Sequence, residues 1–179
     1  MKVSVVGSGY VGLVTGVCLA EKGHKVICVD QDKEKVKNID NAISPIYEKG
    51  LDELLKKNVN VNLKATRNLH QSVLETEVTF IAVGTPFNGK EIDLSYIKEV
   101  SRLVGMALKE KSTYHLVVVK STVTPGTTDQ VVLPILEKYS GKKATIDFGI
   151  GMNPEFLREG EAIQDFMHPD RLVLGGSDK

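Results

Sequence analysis

The sequence predicts an α/β fold in which a doubly wound, mostly parallel sheet carries helices on both faces. Short runs rich in valine, isoleucine and leucine alternate with helix-like segments along the 179 residues, as they do in chains of right-handed βαβ units. Several of these runs are almost continuously apolar, which is expected of parallel strands covered on both sides. The first run ends in glycines spaced G-x-G-x-x-G, a pattern typical of Rossmann-type folds.

Each element is predicted from its local pattern. Apolar runs predict strands at 2–6, 25–29, 78–83, 115–119, 146–150 and 171–174, with a weaker candidate at 62–66. Apolar residues at helical spacing predict helices at 11–22, 33–40, 51–57, 95–109 and 127–138. Asp93 or Ser95 is expected to cap the helix at 95–109. Pro134 should bend the last helix or begin a new segment, because proline disrupts a helix interior.

Composition and charge exclude several classes of protein. The 23 basic side chains balance the 23 acidic ones, so no net field attracts the chain to nucleic acid or to an acidic membrane. No apolar run reaches the roughly 20 residues that span a bilayer, and charged residues follow the apolar start too soon for a signal peptide. We therefore expect a cytoplasmic protein. Cys18 and Cys28 lack metal-ligand spacing; we expect them to fill the core, and we predict no metal site.

The glycines after the first strand predict a phosphate-binding turn. Gly7 suits the sharp turn out of the strand, Gly9 lets the backbone approach a pyrophosphate, and Gly12 lets the helix pack closely. The N–H groups that begin this helix would face the phosphates. Asp30 ends the second strand, where an acid accepts hydrogen bonds from ribose hydroxyls and repels a 2′-phosphate. The pattern favours NAD over NADP; the alternative is a turn that merely needs glycine.

Polar, turn-forming segments also follow the later strands. They occupy 84–86, 120–126 and 151–160. The carboxyl ends of parallel strands lie along one edge of a sheet, and ligands bind beyond that edge. We therefore expect these segments and the glycine turn to surround one cleft.

Together, these segments resemble the UDP-glucose/GDP-mannose dehydrogenase family. The resemblance runs from the first residue to about Gly176, and the run Asn-Pro-Glu-Phe-Leu-Arg-Glu at 153–159 is close to diagnostic. Residues 168–171, His-Pro-Asp-Arg, resemble the UDP-glucose enzymes more than the GDP-mannose enzymes. The matching segments are 7–12, 29–30, 46–54, 83–86, 120–123 and 153–160.

The resemblance implies an activity, a substrate and a cofactor. Members oxidise the C6 alcohol of a nucleotide sugar twice, pass two hydrides to two NAD molecules and hydrolyse a cysteine thioester. For this chain the implied nucleotide sugar is UDP-glucose. Three of the residues implied to contact NAD also have a purely structural interpretation. Lys35 would then be a solvated helix charge, Thr85 part of a Thr-Pro turn and Thr122 the cap of the following helix. The residues implied to contact NAD are Gly7, Gly9, Tyr10, Val11, Gly12, Asp30, Lys35, Thr85, Thr122 and Glu159.

The acidic segment at 155–159 is implied to carry the catalytic acid/base. Glu155 would activate the water that hydrolyses the thioester, with Thr122 helping to hold that water; such catalysis is worth roughly 10²–10⁴ in rate. Alternatively, Glu155 and Glu159 form an exposed i, i+4 pair on a short helix, bridged by Arg158 or simply solvated. The residues implied to contact the nucleotide sugar are Glu155, Phe156, Leu157, Arg158 and Glu159.

The chain departs from the family in one respect. The family's nucleophile is a cysteine in a later glycine-rich segment, and neither Cys18 nor Cys28 has a comparable context. We therefore expect residues 1–179 to be the NAD-binding domain of a larger, homodimeric dehydrogenase, without its catalytic-cysteine and nucleotide-sugar domains. We expect this domain to bind NAD without turning over the sugar.

Three other interpretations remain open at this point. A GDP-mannose or UDP-N-acetylmannosamine dehydrogenase would carry the same segments. A non-catalytic NAD-binding module would keep the fold without the chemistry. A hydroxyacid or hydroxyacyl dehydrogenase would use the same cofactor fold with a catalytic His or Lys in other surroundings, and no histidine here has a convincing catalytic setting; the four are His24, His70, His115 and His168.

Overall fold

A seven-stranded sheet forms the centre of the structure, a computed structural model that describes residues 1–176. The strands are β1 (Lys2–Val6), β2 (Lys25–Val29), β3 (Leu63–Thr66), β4 (Val78–Ile81), β5 (Leu116–Val119), β6 (Gly149–Met152) and β7 (Gly175–Gly176). Their order is β3-β2-β1-β4-β5-β6-β7. Strands β1 to β6 pair in parallel, and only β7 pairs antiparallel, with β6. The predicted doubly wound fold is confirmed.

Helices cover both faces of this sheet. They are α1 (Tyr10–Glu21), α2 (Lys33–Asp40), α3 (Leu51–Asn58), α4 (Leu69–Glu75), α5 (Ser95–Glu110), α6 (Leu133–Ser140) and α7 (Ala162–Met167), with a π-helical turn at Thr128–Val132. Successive residues of a strand point to opposite faces. Accordingly, Val118 belongs to the core shared with α1, α2 and α3, whereas Val117 and Val119 belong to the core shared with α4, α5 and α6. None of the helices in residues 1–176 is long and apolar enough to cross a membrane.

The strand predicted at 171–174 is wrong. These residues have no regular structure, and the short antiparallel strand β7 comes directly after them. Leu172 and Leu174 are 71% and 78% exposed, so the apolar run does not enter the core as a parallel strand would. The strand predicted at 146–150 is shifted to β6, and the short helices α4 and α7 were not predicted.

Local signals at two helix starts act as expected, with one refinement. Pro134 lies in the first turn of α6, where a missing N–H costs little, and a new segment therefore begins there after the π-helical turn. The residue that supports the start of α5 is Asp93, whose Oδ1 accepts the Ser95 N–H at 2.8 Å. The N-cap position itself is held by Leu94.

Both cysteines are fully buried in the core. Burial raises the pKa of the Cys18 and Cys28 thiols to about 12. Space around them is tight, because a Cβ at Gly16 would lie 2.6 Å from the Cys28 sulfur. The two thiols therefore act as small apolar packing groups.

Candidate functional site

The carboxyl edge of the sheet contains a topological switch point between β1 and β4. The chain leaves β1 toward β2 and β3 on one side and crosses to β4 on the other. In doubly wound folds the crevice at such a point binds ligands. The glycine turn at 7–12 follows β1, and Gly84 and Thr85 follow β4, so the predicted cofactor segments flank this crevice.

The three glycines of the turn serve different purposes. A Cβ at Gly7 would lie 2.7 Å from the Ala82 carbonyl oxygen, and the Gly7 φ is +97°. A Cβ at Gly12 would lie 1.8 Å from the Gly7 carbonyl oxygen. The fold therefore needs both of these glycines. A Cβ at Gly9, by contrast, would meet nothing within 4 Å.

Gly9 leaves open space in front of helix α1. It occupies the N-cap position and supplies no side-chain cap for the first-turn N–H groups, which begin at Tyr10 and Val11. Uncapped N–H groups and the positive end of the helix dipole form an anion site. The turn therefore offers donors and open space to an anionic group, and its role as a pyrophosphate site stays a prediction.

Asp30 is fixed beside the glycine turn. Its Oδ2 accepts the Ser8 N–H at 2.8 Å, and its Oδ1 accepts the Asp32 N–H at 3.0 Å. The Lys35 ammonium lies 4.0 Å from Asp30 Oδ2. A carboxylate has lone pairs left for ribose hydroxyls after accepting two N–H groups. Asp30 and Lys35 thus lie together beside the glycine turn, and their contact with an adenosine ribose stays a prediction.

Thr85 and Thr122 link the segments that follow β4 and β5. The Thr85 hydroxyl donates to the Thr122 carbonyl oxygen at 2.7 Å. The alternative of Thr122 as a helix cap is wrong, because the next helical segment begins only at Thr128. Thr122 is an exposed rim residue.

Glu155 lies in an irregular segment after β6, and its side chain is only 11% exposed. Its Oε1 accepts the N–H groups of Phe156 and Leu157 at 2.8 and 2.6 Å. Its Oε2 lies 3.1 Å from the Lys120 ammonium. The alternative interpretation, in which Glu155 and Glu159 form an exposed pair on a short helix, is therefore wrong.

The neighbours of Glu155 are placed differently from one another. Arg158 pairs with Asp165 and Glu161, each at 2.7 Å, instead of bridging Glu155. Glu159 is exposed. The Leu157 side chain packs into the core between α1 and α7. Only its backbone groups could therefore contact a ligand. Phe156 is 49% exposed, and the Arg171 guanidinium lies 4.9 Å from its ring centre.

A cleft of about 1000 Å³ runs along this segment. Lys120, residues 153–158 and residues 168–173 are among the residues that line it. The irregular run that replaces the predicted strand at 171–174 therefore forms a wall of the cleft. Four of the five predicted substrate residues, all but Glu159, line this space.

Glu48 was not predicted as a site residue, yet it joins the glycine turn to the acidic segment. Its Oε2 accepts hydrogen bonds from the Tyr10 hydroxyl and, at 2.8 Å, from the Gly160 N–H; its Oε1 accepts the Ala162 N–H at 3.0 Å. Burial alone would raise the pKa of Glu48, but these hydrogen bonds outweigh it and hold the pKa below its ordinary value. Burial and the hydrogen bond to Glu48 raise the pKa of Tyr10 to about 12. Only the motif segment at 46–54 pointed to Glu48, without indicating its partners.

This contact brings two distant parts of the site together. Strand β6 lies three places from β1 in the sheet, roughly 14 Å at the usual strand spacing of about 4.8 Å. The segment after β6 nevertheless returns to α1, where the Gly160 N–H lies 3.2 Å from the Tyr10 hydroxyl. Within residues 1–176 no cluster of three or more His, Cys, Asp or Glu side chains could hold a metal ion.

A glycine turn at a helix N-terminus, an acid at the end of the next strand and a switch-point crevice define a dinucleotide-binding domain. A sequence profile described as the NAD binding domain of the UDP-glucose/GDP-mannose dehydrogenase family matches residues 1–179. The chain belongs to this family and is its NAD-binding domain, as the sequence predicted.

Individual relatives are similar over the whole chain. GDP-mannose 6-dehydrogenase of Azotobacter vinelandii is 49% identical over 182 residues, which cover 100% of this chain and 42% of the relative. UDP-glucose 6-dehydrogenase of Haloferax volcanii is 44% identical and is matched over 98% of this chain and 41% of its own. A crystal structure of a ternary complex of GDP-mannose dehydrogenase from Pseudomonas aeruginosa superposes with a TM-score of 0.97 at 47% identity, over 99% of this chain and 41% of that one. The chain thus spans about two-fifths of the length of these relatives.

Proposed function

We propose that this domain serves an NAD-dependent nucleotide-sugar 6-dehydrogenase, which converts the C6 alcohol of the sugar to a carboxylate. The observation that carries the proposal is the contact between the glycine turn and the end of the segment after β6, made through Tyr10, Glu48 and Gly160. It joins a site for a dinucleotide to a cleft that contains a largely buried carboxylate. A cofactor site and an acid/base in one place are what a dehydrogenase requires.

The cofactor side of the reaction depends on backbone and carboxylate groups. The first-turn N–H groups of α1, at Tyr10 and Val11, would bind the pyrophosphate. Asp30 would accept hydrogen bonds from the adenosine ribose and disfavour a 2′-phosphate. When bound, NAD would supply the hydride acceptor for each of the two oxidations at C6. Thr85 and Thr122 would lie at the nicotinamide end, because they follow the strands beyond the switch point.

Glu155 would act as the base for thioester hydrolysis. Its Oε1 is held by two N–H groups, which fixes the orientation of the carboxylate. Its Oε2 is buried and has no hydrogen-bond partner of good geometry in residues 1–176, and it would accept a proton from a hydrolytic water that enters beside it. Thr122 follows β5 and Glu155 follows β6, and since these strands are neighbours the hydroxyl is suited to orient that water.

The covalent step would need a thiolate from outside residues 1–179. Cys18 and Cys28 are buried, and their pKa values are raised to about 12, so neither supplies a nucleophile at neutral pH. Residues 1–179 alone should bind NAD and produce no NADH from a nucleotide sugar. The enzyme that also carries a reactive cysteine should produce two NADH per sugar.

The nucleotide sugar is proposed to be UDP-glucose on the basis of residues 168–171, all of which line the cleft. GDP-mannose is the second candidate, because the GDP-mannose relative is 49% identical and the UDP-glucose relative 44%. Initial rates of NADH formation by the enzyme with each sugar would decide between them. Absence of NAD binding in calorimetry, or no NADH from any nucleotide sugar, would overturn the proposal.

A further inference from the structure

Lys120 is a lysine in an unusual place. It directly follows β5, and its side chain is only 6% exposed, although lysine ammonium groups normally reach solvent. Its backbone is fixed, because its N–H donates to the Ile81 carbonyl oxygen at 2.8 Å. A buried ammonium is costly unless oxygen atoms compensate it. The arrangement therefore indicates a specific partner for this charge.

Two oxygen atoms from the segment after β6 compensate the ammonium. The Lys120 Nζ donates to Asn153 Oδ1 at 3.1 Å and lies 3.1 Å from Glu155 Oε2. Asn153 is itself anchored, since its N–H donates to the Val119 carbonyl oxygen and its side-chain amide donates to the Val173 carbonyl oxygen. The segment after β6 thus holds the ammonium in place, and the run at 168–173 supports it through the Asn153 amide.

The contact between Lys120 and Glu155 is an attraction of charges without an aligned hydrogen bond. Glu155 Oε2 is buried and lacks a hydrogen-bond partner of good geometry in residues 1–176, although the ammonium is close. Its lone pairs consequently have no donor within residues 1–176 and would accept a hydrogen bond from a water that enters beside the carboxylate. A nearby cation favours the ionised carboxylate, which is the form that a base requires.

We propose that Lys120 is a positioning residue that keeps Glu155 ionised and its Oε2 directed toward the hydrolytic water. The inference rests on the proposed function, in which Glu155 is the base. The other charged side chains that line the cleft are Lys22, Arg158, Asp165, His168, Asp170 and Arg171. Arg158 is engaged with Asp165 and Glu161, and Lys120 is the cation that pairs with Glu155 among residues 1–176.

The first test follows the Glu155 carboxyl carbon by NMR as a function of pH in residues 1–179, with E155Q to identify its signal. In K120M the titration midpoint should rise measurably above that of the wild type, because a largely buried carboxylate loses its counter-ion. K22M is the matched control, since it removes a positive charge that lines the same cleft but does not pair with Glu155, and its midpoint should match the wild type. K120R keeps the charge and should also keep the midpoint.

An unchanged midpoint in folded K120M, an equal rise in K22M or a raised midpoint in K120R would each overturn the inference. The K120R result decides even where K120M does not fold. Calorimetry with NAD on the same samples tests the proposed function separately. If the wild type does not bind NAD, the proposed function is contradicted, while the titration result still decides the role of Lys120.

The second test uses the enzyme that carries the reactive cysteine. K120M should accumulate the covalent thioester at low pH, and raising the pH should restore hydrolysis as Glu155 ionises. Mass spectrometry of the stopped reaction would detect the adduct. Loss of hydrolysis that no pH restores would indicate a merely structural role and would contradict the inference.

Discussion

The carboxylate of Asp30 is proposed to give the cofactor site its preference for NAD. Its two N–H partners hold it beside the glycine turn, so a change at this residue acts on the ligand more than on the distant core. Hydrogen bonds to a charged group contribute about 1.5–3 kcal/mol each when a partner is lost.

Asp30→Asn should therefore weaken NAD binding by roughly 10-fold to 100-fold and reduce the preference for NAD over NADP. Calorimetry with both dinucleotides would measure this. Asp52→Asn, an exposed acid in the first turn of α3, is the matched control and should bind as the wild type does. Unchanged NAD affinity in Asp30→Asn would contradict the ribose assignment.

The glycine turn separates residues that the fold needs from a residue that the ligand needs. Gly9→Ala should leave the thermal unfolding temperature nearly unchanged, because its Cβ meets nothing within 4 Å, but should abolish detectable NAD binding by filling the phosphate space. Gly12→Ala should destabilise the domain by about 3 kcal/mol or more, because its Cβ would lie 1.8 Å from the Gly7 carbonyl oxygen. Scanning calorimetry and NAD titration of both variants would test the difference. Tight NAD binding by folded Gly9→Ala would refute it.

Residues whose partners are close in the chain were predictable, and residues whose partners come from distant segments were not. The roles of Gly7 and Gly12 follow from local turn chemistry. Glu48 and Lys120 bind groups 112 and 35 positions away, at Gly160 and Glu155, and a single sequence contains no signal for such pairs. Glu155 itself was suggested only by its motif, because its spacing to Glu159 pointed to an exposed helix.

At the scale of elements, Glu48 connects the loop before α3 to the start of α7 and to Tyr10 of α1. It caps the backbone at 160–162 from a separate part of the chain, which explains how a helix of six residues is held in place. An N-terminal carboxylate also interacts favourably with a helix dipole.

Glu48→Gln should speed hydrogen exchange at the Gly160 and Ala162 amides by about 5-fold to 30-fold, since a charged acceptor becomes a neutral one at a cost of about 1–2 kcal/mol. Exchange mass spectrometry would measure it on peptides spanning 158–163. Glu53→Gln, an exposed residue in the first turn of α3, should exchange as the wild type does. Equal protection in both variants would show that the cap is not needed.

His115 lies where β5 begins and stabilises the junction with α4 and β4. Its ring is buried, with Nδ1 3.0 Å from the Thr76 carbonyl oxygen and Nε2 2.8 Å from the Thr79 hydroxyl. Burial, with a smaller effect from Lys111, lowers the pKa of His115 from 6.5 to about 4. The unfolded chain therefore takes up a proton at a higher pH than the folded domain does.

This difference predicts a loss of stability in acid. The contribution of neutral His115 is complete above pH 6.5 and decreases as the pH falls toward 4, by a total on the order of 3 kcal/mol. His115→Gln should flatten the unfolding free energy over this range, whereas the exposed His168→Gln should keep the wild-type slope. Urea unfolding at several pH values would measure both. An identical slope in His115→Gln would contradict the prediction.

At the scale of the whole molecule, the parallel sheet was predictable because several of its strands, such as β2 and β5, are almost continuous apolar runs that are largely buried. The prediction failed at the edge beyond β6, where an apolar run at 171–174 remains exposed and lines the cleft. Periodicity measures local hydrophobicity and cannot tell a core strand from the wall of a binding cleft. The short helices α4 and α7 have few buried apolar residues, among them Val73 and Ala162, and gave too weak a pattern.

The buried thiols of Cys18 and Cys28 make it possible to measure how often the folded domain opens. An alkylating reagent such as iodoacetamide reacts with thiolates, so in folded residues 1–179 it should label neither sulfur until the core is breached. The labelling rate under native conditions then measures the frequency of global or large-scale fluctuations. In an enzyme that also carries a reactive cysteine, brief labelling would mark that nucleophile and spare this domain.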